Sequence, residues 1–250
     1  MTASDVRESQ SRNWAMRVRA PAPGSIAVIK ATLFVLALTP LARLVYGVFA
    51  DRLGANPVEF ITRDTGDWTL IFLSLTLAVT PARWLLHWPW LLKLRRMLGL
   101  YAFFYALLHF TTYFWLDKFF DLTAIGRDIL KRPFITVGFA AFVLLVPLAV
   151  TSTNRMVKRL GAHNWRRLHR AVYLIAPLGI LHFWWMKAGK HDFHRPIVYG
   201  SVLAVLLAAR IVHFWWVRRV TSRAEAALNP TTGQGMRTLG SKVPGKVSSA

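Results

Sequence analysis

Apolar residues in this chain run in long blocks, without the alternation of a half-buried strand and without the one-sided stripe of a surface helix. Six blocks stand out, at 26–50, 68–86, 97–116, 134–150, 168–187 and 197–217. Each approaches the roughly 20 residues a helix needs to cover the hydrocarbon core of a bilayer. They are too long and too unbroken for transmembrane barrel strands of about ten residues. The pattern predicts an all-α membrane protein, a six-transmembrane-helix bundle, with no internal repeat and no second folded domain.

Charge adds the orientation. With six spans, one side collects the N-terminus, the 87–96 and 151–167 loops with their flanks, and the C-terminal tail. With Lys30, Arg83 and Arg170 counted on it, that side holds 21 Lys/Arg against three acids, whereas the 51–67, 117–133 and 187–196 loops hold nine against eight. The positive-inside rule makes the basic side cytoplasmic, so both termini are expected inside. The formal net charge of +21 then reflects topology and attraction to anionic lipid headgroups. It does not point to nucleic acid, because no aromatic-laced soluble domain accompanies the arginines. Residues 1–24 lack the apolar core and cleavage site of a signal peptide and read as a disordered basic arm. Residues 25–220 form the membrane domain, and 221–250, rich in Gly, Ser, Thr and Pro, read as a disordered tail.

With no cysteine in the chain, thiolate ligands, disulfides and cysteine-held clusters are excluded. Redox chemistry would need a bound cofactor, which turns attention to the eight histidines. His163, His191 and His194 fall in predicted loops, His87 at the inner end of the second span, and His213 beside an aromatic belt. His109 and His182 lie in the outer halves of the third and fifth spans, at matching depth. A packing histidine is the bland reading of either one alone. Two at one depth, with no acid expected in the bundle to complete a zinc or proton-relay site, fit the axial ligands of a haem iron. Ala102, Ala106 and Gly179, on the same helices, would leave room for the macrocycle.

His169 stands 13 residues before His182, about 20 Å along an ideal helix and roughly 140° around it. It is either an interfacial histidine among Arg166, Arg167 and Arg170 or a ligand of a second, inner haem, with His213, His87 and His163 as available partners. Arg43 and Arg210, within the first and sixth spans, either snorkel to an interface or balance haem propionates.

Three stretches carry a resemblance: "RRMLGLYAFFYALLHFTTY" (95–113), "KRPFITVG" (131–138) and "TSTNRMVKRLGAHNWRRLHRAVYLIAPLGILHFWW" (151–185). Over about residues 26–217 the chain resembles the MsrQ family, haem-binding membrane subunits of bacterial periplasmic methionine sulfoxide reductase systems within the ferric-reductase-like transmembrane superfamily. The resemblance implies a multi-pass protein of the bacterial inner membrane with haem b, one or two per chain, and an association with FMN. It implies a non-catalytic electron-transfer subunit, drawing on quinol or on a flavin carrier reduced by a cytoplasmic flavin reductase. The acceptor it implies is a periplasmic molybdenum-cofactor reductase of the MsrP type, which repairs oxidised methionines. The family's functional histidines fall on His109, His169 and His182. Four-histidine members of the wider superfamily carry a further inner histidine on the third span, where this chain has Arg95 and Arg96, so a symmetric inner haem is not expected. A non-redox permease or scaffold with structural histidines is the alternative from another class.

Overall fold

The computed structural model describes residues 21–189 and 191–228. Every regular element among them is helical, and six helical segments are long and apolar enough to cross a membrane. They divide into two compact units, one ending at Leu207 and the other starting at Ala208, which are taken separately below.

Helix α1 spans Pro23–Phe49 and α2 spans Pro57–Leu86. A short 3-10 turn, Pro89–Leu91, leads into α3, Leu92–Thr111, which continues as a π-helical turn over Thr112–Asp117. An amphipathic ten-residue helix, α4, Leu122–Lys131, precedes α5, Pro133–Val150. Then come α6, Asn154–His169, α7, Val172–Ala188, and α8, His194–Leu228.

One departure from the sequence pattern is at α2, which begins eleven residues before the apolar block it carries. Asn56 caps it by accepting from the Glu59 N–H at 3.1 Å, and Pro57 occupies the first turn, where its missing N–H costs nothing. Glu59 pairs with Arg63 one turn on. The polar stretch 57–67, expected as loop, is therefore helix, and it carries Asp64 and Asp67 into the bundle. Likewise α6 occupies the expected 151–167 loop, broken at Gly161, whose φ of 76° is open to glycine but strained for other residues. The sixth helix runs on to Leu228, past the expected start of the tail at 221. Of the predicted arm at 1–24, residues 1–20 lie outside the described residues, as does the tail beyond 228, and Pro23 and Gly24 already belong to α1.

Packing organises the first unit into two helix hairpins. Helix α3 lies closely along α2, and α7 along α5, and the hairpins meet where α3 packs on α5 through Phe110 and Phe142. The α2/α3 seam is aromatic. Phe72 stacks on Tyr101 and Tyr105, and Trp68 leans on both Phe72 and Tyr105. Tyr105, fully buried, donates its hydroxyl to the Ala37 carbonyl at 2.7 Å, and Tyr101 donates to Phe34 at 3.1 Å. These bonds tie α1 to α3 and satisfy phenols that burial would otherwise penalise. Pro40 leaves the Leu36 carbonyl without its helical donor, and the Thr39 hydroxyl supplies one at 2.7 Å. In the second unit His213 stacks on Trp216 and Arg218 lies over Phe214, a set that suits an interfacial belt.

Candidate functional site

Across the gap between the hairpins, the imidazoles of His109 on α3 and His182 on α7 face each other with ring centres 6.1 Å apart and planes at 80°. Each is anchored on its own hairpin. The His109 Nδ1–H donates to the Thr62 carbonyl of α2 at 2.8 Å, and the His182 Nδ1–H donates to the Phe134 carbonyl of α5 at 2.7 Å. A carbonyl can only accept, so both rings are held as the Nδ1–H tautomer. Neither makes another hydrogen bond among the described residues, which leaves each Nε2 with a lone pair to offer.

Each ring also lies against a glycine. A Cβ on Gly66 would stand 3.2 Å from Nδ1 and Cε1 of His109, and one on Gly138 would stand 2.5 Å from Nδ1 of His182. Pattern reading missed these two residues. Ala102 and Ala106 are buried in the core, and Gly179 faces Leu70 of α2. A signal was nonetheless present, because "ALLHF" (106–110) and "GILHF" (179–183) are near-copies. The histidine-to-carbonyl separations, 47 and 48 residues, repeat as well.

The pair fits a haem iron. Two metal–imidazole bonds of about 2 Å each, with the two ring half-widths, bring the ring centres to roughly 6 Å. Neutral imidazoles with Nδ1 bonded to carbonyls are the usual state of metal-ligating histidine. Among the described residues no three His, Asp or Glu side chains converge in a way that could hold a metal ion. That disfavours a tetrahedral zinc site and leaves a two-ligand site, as haem requires.

His169 stands apart from this pair, at the junction of α6 and α7. Its ring stacks on Trp165 at 3.9 Å, and its Nδ1–H donates to the Trp165 carbonyl at 3.0 Å. Nε2 lies 3.4 Å from the Ser152 hydroxyl, which donates to the Leu148 carbonyl at 2.7 Å, and the ring interacts with that same carbonyl. Arg95 and Arg96, in the positions noted from the sequence, lie near enough for their charge to act on the ring. Arg96 also bonds Asn154.

The reading of Arg43 changes. Its guanidinium pairs with Asp64, and Arg195 pairs with Asp67 at 2.5 Å. These acids were assigned to a loop, so the expectation of a bundle without acids was wrong; the cause is the early, capped start of α2. The four residues line a cavity of about 590 Å³ among α1, α2 and the start of α8, with Trp68, His194 and Tyr199. Paired charge is what a low-dielectric setting requires of ionised groups. Arg210 belongs to the second unit.

At the end of the bundle beyond His109, rings continue outward. Phe110 meets Phe114 at 5.8 Å, and Phe114 meets Phe120 at 5.2 Å, with Phe120 and neighbouring Phe119 and Trp115 exposed. The π-helical turn lies here, immediately after the His109 helix. Such turns recur at functional sites.

Residues 65–180 match the family model described as ferric reductase like transmembrane component. A curated relative from Herminiimonas arsenicoxydans, named protein-methionine-sulfoxide reductase heme-binding subunit MsrQ, is 63% identical over 191 residues, 76% of this chain and 88% of its own. Proteins of the same name from Ralstonia nicotianae and Rhodospirillum rubrum are 56% and 52% identical, each over more than three quarters of this chain and 87% and 91% of their own.

Proposed function

The chain belongs to the MsrQ family of haem-binding subunits of protein-methionine-sulfoxide reductases, and from that premise we propose that it is an electron-transfer subunit of the bacterial inner membrane. The observation that carries the proposal is the pair of imidazoles 6.1 Å apart, contributed by two separate hairpins and each bonded through Nδ1 to a carbonyl. Haem b bound here supplies a one-electron couple inside an apolar bundle. His109 and His182 would hold it through Nε2. Their carbonyl bonds fix the tautomer and strengthen Nε2 as a donor, and the surrounding helices exclude water. His169 is the ligand of a second or accessory haem at the other end of α7, next to Arg95 and Arg96.

Electrons enter from the quinone pool or from a reduced flavin carrier, with FMN and a cytoplasmic flavin reductase as that route. They leave to a periplasmic molybdenum-cofactor reductase, which carries out the reduction of methionine sulfoxide in envelope proteins. The basic side of the bundle contacts anionic lipids. The docking face for the periplasmic reductase is formed by the 117–133 and 187–196 segments. Supporting this are their position at the His109 end and the aromatic rings that reach the surface there.

The test is electron delivery. The purified protein, reduced with dithionite, is expected to be reoxidised by methionine sulfoxide only when the periplasmic reductase is present, and more slowly when the two outer segments are exchanged. Reoxidation that needs no reductase would overturn the assignment of the acceptor. Full-rate delivery with both segments exchanged would overturn the docking face.

A further inference from the structure

The two hairpins hold their histidines by the same device. In the first, α3 brings His109 onto Gly66 of α2, with Nδ1–H bonded to the carbonyl of Thr62, four residues before the glycine. In the second, α7 brings His182 onto Gly138 of α5, with Nδ1–H bonded to the carbonyl of Phe134, again four residues before. Within a helix that carbonyl already receives the N–H of the residue four ahead, which is the glycine itself. The imidazole therefore adds a further donor to each carbonyl, joined at Thr62 by the Thr65 hydroxyl at 3.0 Å, and its approach stays open only if nothing projects from the position one turn on. A Cβ there would crowd the ring, severely at Gly138 and mildly at Gly66.

We propose that Gly66 and Gly138 are positioning residues for the imidazole pair, each leaving open the approach by which a histidine of the neighbouring helix reaches that carbonyl and presents Nε2 across the gap. This rests on the reading of His109 and His182 as axial ligands. Neither glycine touches the iron or the reacting electrons; both act through the ring they seat. The two positions are graded. At Gly138 an added methyl meets Nδ1 at 2.5 Å, Cε1 at 2.8 Å and Cγ at 3.0 Å, closer than real contacts allow. A ring held by its backbone and by a carbonyl cannot yield that much without losing the bond. At Gly66 the methyl meets the ring at 3.2 Å, where a small rotation suffices. Gly99, in the same α2/α3 seam, would place its Cβ 3.6 Å from Thr76 Cγ2, an ordinary contact, and serves as the control.

The experiment compares full-length G138A, G66A and G99A, purified from haem-replete cells, by haem content, by electron paramagnetic resonance of the ferric form and by midpoint potential. Ring planes at 80° predict a strongly anisotropic low-spin signal for the unaltered protein. G66A is expected to keep its haem but to shift the largest g value and the potential, because the plane and the Nδ1 bond of His109 change. G138A is expected to lose most of its haem, and G99A to match the unaltered protein. If G138A does not accumulate, G66A against G99A decides the matter. Unchanged resonance and potential in G66A, or equal shifts in G66A and G99A, overturn the proposal. Haem retained with an unaltered spectrum in H182A would instead overturn the ligand assignment beneath it.

Discussion

The proximity of His109 and His182 was legible in the sequence because an imidazole inside an apolar run is costly enough to need a reason, and because both runs could be placed by length and charge. Their glycine partners were not legible. A glycine in a helix of this kind usually serves packing, and only the neighbouring helix determines what lies against it. Asp64 and Asp67 were misplaced for a related reason, since their charges mark a loop until Arg43 and Arg195 are seen beside them. His169 differs from the other two in having its Nδ1 bonded within its own helix. Its loss should leave the opposed pair intact. His169→Ala is therefore expected to retain the haem signal of the His109/His182 site and to lose only what a second haem contributes, read as a fall in haem per polypeptide. Complete loss, equal to that in His109→Ala, would mean that one site depends on all three histidines.

At the scale of elements, the apolar cores of the spans were predicted well and their ends poorly. Hydropathy reports the stretch that lipid would cover; the ends depend on caps such as Asn56 and on ion pairs between separate segments. Helix α4 shows the point, being too short and too polar for a span. It is held by Lys118, which donates to Asp128 at 2.8 Å. That bond lowers the Asp128 carboxyl below its ordinary 3.8 and is the chief cause raising the Lys118 ammonium above its ordinary 10.5. A lowered acid stabilises the fold above its unfolded value and loses this as pH falls through the folded one. A raised base stabilises below its unfolded value and loses this as pH rises through the folded one. The contact should thus be intact between about pH 4 and 10 and weaken outside that range. Proteolytic cleavage or amide exchange in 117–133 is expected to be slowest within this window. Asp128→Asn should speed it at neutral pH, and a rate indifferent to both would show that the ion pair does not order the segment.

At the largest scale, the first unit joins two hairpins, and the site between them is assembled only when both are folded. Each hairpin brings one imidazole, so neither alone carries a complete ligand pair. The charge asymmetry of the sequence leads us to expect both termini and the 151–167 segment on the cytoplasmic side and 117–133 outside. Reporter fusions are expected to be active in the cytoplasm at either terminus and in the periplasm within 117–133, and the reverse pattern would invert the direction of electron flow proposed here. The central claim is that His109 and His182 together hold haem b. Its most direct test is the visible spectrum of the purified protein, oxidised and dithionite-reduced, beside His109→Ala and His182→Ala prepared identically. The account predicts a Soret band and a reduced α band in the unaltered protein and loss of the paired site's signal in each variant. A colourless unaltered protein, or undiminished bands in either variant, would contradict it.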